Sequence, residues 1–292
     1  MDEQSEIIRE ITPLTHGECL LVFDRIKTRF DFPIHFHPEY ELNFILNAPN
    51  AVRLVGNYQG LIGGAELVLV GPNVKHGWTN GACSSKQIHE VTIQFHRDLF
   101  QERFLERNMM QSIREMLTNS VRGILFSEQT INEVAGQIMG LSQKDGLEAF
   151  LDLLKILYQL SLSKDQKILC AEVLNTSDSV TNEQLKKLFG YIELRYNEKI
   201  LFKDVARYLN MTESTLSRLI KKSIGKSFVN FLNDYRIGFA SRWLTETNQS
   251  VSEVADRCGF YNISNFNRIF KKSKGCTPVE YRKNFSGIKR VS

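Results

Sequence analysis

The sequence reads DVARYLNMTESTLSRLIKK from Asp204 to Lys222 and EVADRCGFYNISNFNRIFKK from Glu253 to Lys272. The two stretches match in residue type and order, with an offset of 49 residues through the middle turn and 50 after it. Each copy predicts a short helix opened by an acidic residue, a tight turn, and a second helix that ends in a pair of lysines. We therefore predict two helix-turn-helix motifs, at about 202–222 and 251–272.

The turn of each copy carries residues suited to a sharp reversal of the chain. Gly259 and, at the equivalent place, Asn210 tolerate the left-handed backbone that such a turn requires. Thr212 is the expected N-cap of the second helix in the first copy, and Asn262 or Ser264 is the expected N-cap in the second. The local chemistry therefore agrees with the predicted motif.

Inward and outward positions separate on the second helix of each copy. Ala206 and Ala255 are small enough to let the paired helices approach closely. The apolar residues expected to anchor the second helices are Leu216, Ile220, Phe266 and Phe270. The residues that then face outward are Ser214, Ser217 and Arg218 in one copy and Ser264, Asn267 and Arg268 in the other. This layout is typical of motifs whose second helix enters the major groove of DNA.

The outward residues have the chemistry of base recognition. Arg can donate two parallel hydrogen bonds to guanine, Asn can pair with adenine in the same way, and Ser can contact either base. The lysines placed to neutralise phosphates are Lys221, Lys222, Lys226, Lys271, Lys272 and Lys274. Such contacts add affinity and salt dependence but little sequence readout.

The charge distribution supports a nucleic-acid role for this part of the chain. Residues 181–292 hold 21 Lys and Arg against 10 Asp and Glu, a net charge of +11, whereas residues 1–180 hold 16 against 23, a net charge of −7. The chain is predicted to be helical throughout from Glu183. A helix from Phe228 to about Leu244, roughly 25 Å long, suits two recognition helices about one turn of DNA apart.

Residues from about 184 to 285 resemble the DNA-binding domain of the AraC/XylS family of bacterial transcription regulators. The positions that carry the resemblance are Val205, Ala206, Arg218, Lys221, Lys222, Gly225, Ile237, Ala240, Val254, Ala255, Gly259, Phe260, Phe266, Arg268, Phe270, Lys271, Lys272, Thr277, Pro278, Tyr281 and Arg282. The resemblance places the family's base-reading sites on Ser214, Ser217, Arg218, Ile263, Ser264, Asn267 and Arg268. Ile263 departs from the pattern because it cannot hydrogen-bond a base, so we expect a thymine-methyl contact or none there.

The resemblance implies a cytoplasmic regulator that binds double-stranded promoter DNA, an unknown small-molecule effector and RNA polymerase, and that forms a homodimer. A stripe of apolar residues is the candidate dimer seam, with packing against the chain's own neighbouring helices as the alternative. Its members are Leu147, Phe150, Leu151, Leu154, Leu157 and Tyr158.

The acidic part of the chain begins with short strand-like runs separated by turn signals and becomes helical at Asp98. We predict an α+β multidomain protein: a cupin-like β-barrel over 1–97, a helical linker or dimerisation region over 98–175, and an all-α DNA-binding domain over 183–287. The predicted helices are 98 to about 117, 128 to about 141 and 146 to about 162. The polar stretch 175–182 is the predicted interdomain linker.

Histidines cluster in the predicted strands. His35 and His37 share one strand face, Glu41 follows with the same parity, and a hairpin could bring His76 opposite. Three His and one Glu at these spacings resemble the two cupin motifs that bind a divalent metal. Three interpretations stay open: a metal site, a metal-free effector pocket, or a structural cluster.

In an effector pocket, Tyr40, Trp78 and Arg53 are candidate anchors for the bound molecule. The sequence favours no metal and no cofactor, and it contains no glycine-rich phosphate loop or nucleophile elbow. We therefore expect no enzymatic activity, the alternative being a metal-dependent cupin enzyme fused to a DNA-binding module. No apolar stretch approaches the length of a membrane span, and the acidic start is unlike a secretory signal.

Overall fold

The computed structural model describes residues 8–10, 12, 14, 18–30, 32, 34–100, 102–171, 179–224, 226–284 and 288–291. The chain divides into two compact units. The N-terminal unit contains Met1–Leu174 and Gly287–Ser292, and the C-terminal unit contains Asn175–Ser286. Within the predicted linker, residues 175–178 lie outside the described residues, and residues 179–182 already belong to a helix.

The N-terminal unit is built on short strands. Their bounds are β1 (Ile8–Arg9), β2 (Leu20–Lys27), β3 (His35–Phe36), β4 (Tyr40–Leu46), β5 (Val52–Val55), β6 (Tyr58–Leu61), β7 (Ala65–Val70), β8 (His76–Thr79), β9 (Ile88–Phe95), β10 (Ile124–Leu125), β11 (Lys167–Ile168) and β12 (Ile288–Val291). They form a five-stranded sheet in the order β1-β3-β8-β5-β6 and a seven-stranded sheet in the order β11-β10-β7-β4-β9-β2-β12.

Alternation along the central strands separates two layers of core. On β4, Leu42 and Phe44 belong to the cluster that packs on the helices, whereas Ile45 belongs to the cluster shared with the five-stranded sheet. Val68 of β7 and Trp78 of β8 join Ile45 there, so the second cluster fills the space between the sheets. The polar residues of β4 with the parity of Ile45 therefore also face the five-stranded sheet.

The predicted fold class is confirmed, with a sheet-rich unit followed by a helical one. The barrel is open, because the described strands pair within two separate sheets and no pairing joins those sheets. The outer positions of the seven-stranded sheet are taken by β11 and β12, which come from later in the chain. Each of them covers an edge that closure of a barrel would have to use.

The helices of the N-terminal unit lie between β9 and β11. They are α1 (Glu102–Leu105), α2 (Gln111–Asn119), α3 (Glu128–Leu141) and α4 (Gly146–Leu162). The bounds predicted for α3 and α4 are confirmed, but the single helix predicted over 98–117 is wrong. It is broken because Arg107 has an extended backbone, with ψ 138°, after which a 3-10 turn (Asn108–Met110) precedes α2.

The C-terminal unit is helical. Its elements are α5 (Ser179–Arg195), α6 (Phe202–Tyr208), α7 (Glu213–Ile224), α8 (Phe228–Glu246), α9 (Val251–Arg257), α10 (Ile263–Lys274) and α11 (Pro278–Asn284). The prediction of helix throughout from Glu183 is wrong at its end, because Ile288–Val291 pairs antiparallel with residues 20–23 of β2 as the strand β12. Among the described residues, no helix is long and apolar enough to cross a membrane.

Candidate nucleic-acid interface and candidate metal centre

The two copies of the repeat fold in the same way at their turns. In the first copy the backbone N–H of Met211 donates to the carbonyl of Ala206 at 2.9 Å. In the second copy, 49 residues later, the N–H of Phe260 donates to the carbonyl of Ala255, also at 2.9 Å. The pairs α6–α7 and α9–α10 are therefore two helix-turn-helix motifs, as the repeat predicts.

The predicted turn and cap residues take up their expected conformations. Asn210 and Gly259 have φ values of 54° and 78°, both in the left-handed region. Thr212 Oγ1 accepts a hydrogen bond from the N–H of Thr215, three residues further on, at 3.2 Å. The equivalent cap of the second copy is Asn262, not Ser264, because Asn262 Oδ1 accepts from the N–H of Asn265 at 2.9 Å.

Apolar anchors hold both second helices in place. The four predicted anchors, Leu216, Ile220, Phe266 and Phe270, are buried, as are the small residues Ala206 and Ala255. Phe266 also packs edge-on against Phe260 of the turn, with ring centroids 5.1 Å apart. Because the buried side chains fix one face of α7 and of α10 against the core, the opposite face of each helix is exposed to solvent.

The predicted base-reading residues lie on those exposed faces. They are Ser214, Ser217 and Arg218 on α7, and Ile263, Ser264, Asn267 and Arg268 on α10. Arg268 is partly preoriented, since its Nη2 donates to Asn265 Oδ1 at 2.8 Å. Ile263 is 39% exposed, so an apolar side chain stands at the start of the second recognition helix.

The predicted phosphate-binding lysines fall into different environments. Lys221, Lys271 and Lys272 are exposed near the ends of the recognition helices. Lys226 is half-buried and its Nζ binds Asp234 Oδ2 at 2.7 Å, which holds this charge within the fold. Lys274 is half-buried. The side chain of Lys222 and the whole of Gly225 lie outside the described residues.

Sequence reasoning missed Arg236, which braces the second turn. Its Nε donates to the carbonyl of Tyr196 at 2.7 Å and its Nη2 donates to the carbonyl of Glu198 at 2.8 Å. The guanidinium also lies over the ring of Phe260, 5.8 Å from its centroid. Arg236 thus ties α8 to the end of α5 and to the second motif. No sequence spacing marks these carbonyl acceptors in advance.

In the N-terminal unit the structure brings the three histidines and Glu41 together. His35 of β3 lies directly opposite His76 of β8 in the strand register. His35, His37, Glu41 and His76 each offer one ligand atom, and these atoms all lie within 4.8 Å of one another. None of the four residues is more than 5% exposed, so the cluster is enclosed between the sheets.

Glu41 occupies the centre of the cluster. Its Oε2 lies 3.1 Å from His37 Nε2, and its Oε1 lies 3.5 Å from His76 Nε2. The other ring nitrogen of His76, Nδ1, lies 2.8 Å from the carbonyl of Val74, an acceptor that requires a proton on Nδ1. His76 Nε2 is buried opposite Glu41 Oε1, and it has no hydrogen-bond partner among the described residues.

Three further polar residues border the cluster and were not predicted. Glu10 Oε2 lies 3.3 Å from His35 Nε2, and Glu39 Oε2 lies 3.3 Å from His37 Nδ1. Gln94 donates from its Nε2 to Glu41 Oε2 at 2.9 Å. Gln94 and Glu41 are paired in the register of β9 and β4. Only that long-range register reveals Gln94.

The ionisation of the cluster reflects its burial and its paired charges. Burial alone would lower the pKa of His37, but the neighbouring carboxylates of Glu39 and Glu41 raise this pKa to about 10. Burial alone would raise the pKa of Glu41, but the charges and contacts of His76 and His37 hold it well below its usual range.

The predicted pocket anchors are not all at the cluster. Tyr40 packs on the helix side of β4, where its ring stacks on Phe95 at 5.2 Å, because it alternates with Glu41. Trp78 lies beside His76, with ring centroids 5.9 Å apart, but its Nε1 donates to Glu66 Oε1 at 2.9 Å. Arg53 forms a buried ion pair with that same Glu66.

Three imidazoles and one carboxylate are a donor set suited to zinc, iron, manganese or nickel. The arrangement fits such an ion, since the ligand atoms converge and His76 Nε2 is buried opposite Glu41 without a hydrogen-bond partner among the described residues. His35, His37, Glu41 and His76 are the residues that would hold it.

Comparison with known proteins addresses the C-terminal unit first. A family profile described as a helix-turn-helix domain matches residues 205–284. The chain is 32% identical over 112 residues to the uncharacterized HTH-type transcriptional regulator YtdP of Bacillus subtilis, a match that covers 38% of this chain and 14% of that protein. An uncharacterized HTH-type transcriptional regulator of Staphylococcus aureus strain MSSA476 is 32% identical over 109 residues, covering 37% of this chain and 15% of that protein.

The C-terminal unit carries an AraC-type helix-turn-helix domain. The chain spans about one seventh of the length of the curated relatives that it matches, so those matches concern this AraC-type domain alone.

Solved structures extend the likeness over nearly the whole chain. An apo variant of ToxT from Vibrio cholerae strain SCE256 gives a TM-score of 0.61 at 17% identity, covering 95% of this chain and 99% of that one. Unsaturated fatty acid bound ToxT gives 0.56 at 18% identity, covering 92% and 95%. The protein therefore shares its fold with ToxT: a sheet-rich unit followed by a helical one.

Proposed function

We propose that this protein is a sequence-specific DNA-binding transcription regulator. The observation that carries the proposal is the pair of helices α7 and α10, each anchored by buried apolar residues and each exposing polar residues suited to base edges. The basic charge of residues 181–292, net +11, favours association with a polyanion. The names of the relatives of the AraC-type domain agree with this role.

We propose that each of the two recognition helices contacts its own set of bases. We infer that Arg218 and Arg268 each contact a guanine, because the guanidinium is the group that fits guanine O6 and N7 with two hydrogen bonds. Asn267 suits an adenine, and Ile263 suits a thymine methyl group. The serines, Ser214, Ser217 and Ser264, have hydroxyls that can accept from or donate to either partner.

Phosphate contacts complete the proposed interface. The exposed Lys221, Lys271 and Lys272 are the strongest candidates, because each side chain stands free at the surface of a recognition helix. Lys222 stays a proposed phosphate contact on the sequence alone, because its side chain lies outside the described residues. Lys226 and Lys274 are weaker candidates, because Lys226 is already bound to Asp234 and Lys274 is half-buried.

The test starts from the binding site that the full chain selects out of a random DNA library. At fixed salt, Arg218→Ala and Arg268→Ala should each weaken binding to that site by about 1 to 3 kcal/mol and relax preference at one base pair. Arg207→Ala is the matched control, since Arg207 is exposed on the first helix of the motif and pairs with Asp204. Equal affinities for the two reading variants, the control and the wild type would reject the proposal.

A residue that contacts phosphate should change DNA affinity in a different way. Lys271→Ala should lower the affinity for selected and random DNA alike and should reduce the dependence of affinity on salt concentration. A loss confined to the selected sequence would instead place Lys271 at a base. A full chain that selects no sequence and binds all DNA equally would point to a non-specific DNA binder.

We infer that the N-terminal unit senses a ligand and passes the signal to the DNA-binding unit. A ligand shifts such an equilibrium only by binding one arrangement of the protein more tightly than another.

We propose RNA polymerase as the partner at the promoter and the cytoplasm as the location. We propose no enzymatic role: the four residues at the histidine cluster are at most 5% exposed, which leaves a substrate little access.

The exposed apolar stripe of α4 supports a homodimer. The core-facing residues of this helix are Ala149, Leu153, Ile156, Leu157 and Leu160. A second stripe remains at the surface, with Leu147 71%, Leu151 52% and Tyr158 48% exposed. We propose that a second copy of the chain covers it. Leu151→Glu should shift light-scattering mass from dimer to monomer, whereas Asn132→Glu at an exposed position of α3, outside the stripe, should not.

A further inference from the structure

We propose that the ligand of the N-terminal unit is one divalent transition-metal ion, held by His35, His37, His76 and Glu41. Glu10, which directly follows β1, supplies a further oxygen to this ion. The metal site rests on its own geometry, and its role as effector rests on the proposed regulatory function. The donor set favours Zn²⁺, Co²⁺, Ni²⁺ or Fe²⁺ over Mg²⁺ or Ca²⁺, which prefer oxygen ligands.

The spacing of the donor atoms matches that of one coordination sphere. Two donors bound to the same ion at about 2.1 Å lie roughly 3.0 to 3.4 Å apart in octahedral or tetrahedral geometry. The pair His37 Nε2 and Glu41 Oε2 is separated by 3.1 Å, and the pair His76 Nε2 and Glu41 Oε1 by 3.5 Å. All four ligand atoms lie within 4.8 Å of one another, so the widest pair has to close by about 1.4 Å to reach this spacing.

The ring orientations present lone pairs to the centre. The carbonyl of Val74 holds the proton of His76 on Nδ1, so Nε2 points an unshared pair at Glu41, itself an acceptor. The carboxylate of Glu39 beside Nδ1 of His37 holds a proton there, so a bound ion would displace the proton that otherwise lies between His37 Nε2 and Glu41 Oε2. Two acceptors facing each other in a buried site require a cation or a proton between them.

Outer contacts hold the ligands in place. Gln94 donates to Glu41 Oε2 at 2.9 Å, and the hydroxyl of Thr12 donates to Glu39 Oε2 at 2.8 Å. Such partners are typical of metal-ligating carboxylates and histidines. In the part of the chain that the structure describes, neither Glu39 nor Glu41 forms an ion pair with Lys or Arg. The imidazolium of His37 balances their charge, and when that ring binds an ion through Nε2 the divalent ion takes over this role.

Glu10 connects the site to the start of the described chain. β1 runs parallel to β3 with Ile8 opposite His35, and the N–H of Glu10 donates to the carbonyl of Phe36 at 2.9 Å. The Glu10 carboxylate then lies 3.3 Å from His35 Nε2 and 3.9 Å from His37 Nε2. A bound ion would therefore fasten β1 to the sheet, which couples metal occupancy to the conformation of the N-terminal segment.

The experiment uses the full chain stripped with EDTA and titrated with Co²⁺, read by visible absorption and elemental analysis. Wild type should bind one Co²⁺ per chain and unfold at a higher temperature when loaded. His76→Gln should abolish this stoichiometric binding. Glu10→Gln should keep one ion but bind it about tenfold or more weakly, with a changed spectrum. His89→Gln is the matched control, because His89 pairs with Asp24 at 2.7 Å outside the cluster.

Several outcomes would overturn the proposal. If the wild-type protein binds no stoichiometric Co²⁺ and gains no thermal stability from it, the proposed metal site is rejected, whatever the variants do. Equal binding by His76→Gln and wild type would remove the ligand assignment, and an unchanged affinity and spectrum in Glu10→Gln would remove Glu10.

Gel shifts on the selected DNA, with EDTA or with Co²⁺, test the regulatory part separately. A metal-dependent change in DNA affinity, absent in His76→Gln, is the expected result. Metal binding without that change would reject the effector role alone. Absence of specific DNA binding in both conditions would reject the proposed function while the metal site stands.

Discussion

Replacement of Gly259 by alanine tests the assignment of the second motif through its turn. Gly259 has φ 78°, where an L-residue costs about 1 to 2 kcal/mol. A Cβ atom there would also lie 2.9 Å from the carbonyl oxygen of Tyr196 and 3.0 Å from that of Asn197. Because both contacts are backbone atoms that cannot rotate away, overpacking adds about 1 to 3 kcal/mol. We expect Gly259→Ala to lower the free energy of unfolding of the C-terminal unit by about 2 to 5 kcal/mol.

Gly275 provides a matched control for the backbone contribution. It has φ 74°, nearly the same as Gly259, but a Cβ atom built there meets nothing within 4 Å. Gly275→Ala should therefore cost only the backbone part, about 1 to 2 kcal/mol. The difference between the two variants measures the crowding that Tyr196 and Asn197 impose.

Urea unfolding followed by ¹⁹F NMR of 5-fluorotryptophan-labelled full chain resolves the two units. The chain contains two tryptophans, Trp78 in the N-terminal unit and Trp243 in the C-terminal unit. The Trp243 resonance should report the loss in Gly259→Ala, while the Trp78 transition stays in place. Equal losses in Gly259→Ala and Gly275→Ala would refute the crowding argument, and an unchanged Trp243 transition would refute the turn itself.

Three other variants test separate parts of the molecule. Glu66→Ala leaves Arg53 buried without its carboxylate, so it should destabilise the N-terminal unit by about 3 to 5 kcal/mol in urea unfolding. Asp204→Ala is the control: it removes the exposed ion pair with Arg207 and should cost less than about 1 kcal/mol. Ser250→Ala removes the side-chain hydrogen bond that lowers the pKa of Glu253 but keeps the backbone N–H that also lowers it, so an NMR titration should find this pKa part of the way back toward 4.5. Because the folded pKa of Glu253 is lowered, its stabilising contribution is present above the unfolded pKa and is lost as pH falls through the folded value, a loss that Ser250→Ala should reduce. Ala255→Leu should overpack the contact between α9 and α10 and weaken both the stability of the C-terminal unit and its affinity for selected DNA.

The helical motifs could be predicted from the sequence because their signals are local. Asn210 and Gly259 mark the turns, Thr212 marks a helix start, and the repeat supplies each signal twice. In the second copy the two candidate caps, Asn262 and Ser264, lie two residues apart, and only the hydrogen bond that Asn262 accepts distinguishes them.

The missed features depend on long-range contacts. Glu10 reaches the histidine cluster through the pairing of β1 with β3, and Gln94 reaches it through the pairing of β9 with β4. The side chain of Gln94 also donates to Glu10, 84 residues away in sequence. β12 was missed because it pairs with β2 from the far end of the chain. Tyr40 is a different case. Strand alternation alone places its side chain on the face of β4 opposite Glu41, away from the histidine cluster.

The duplicated motif has a consequence for the symmetry of the DNA. Two motifs on separate copies of a dimer are related by a twofold axis and read a palindrome. Here the two motifs follow each other in one chain and are joined by α8, so the segments they read are arranged head to tail. They also carry different outward residues, such as Ser217 on α7 where Asn267 stands on α10. We therefore expect the DNA segment read by one chain to have a direction, so that inverting it would turn the bound protein to face the other way along the promoter.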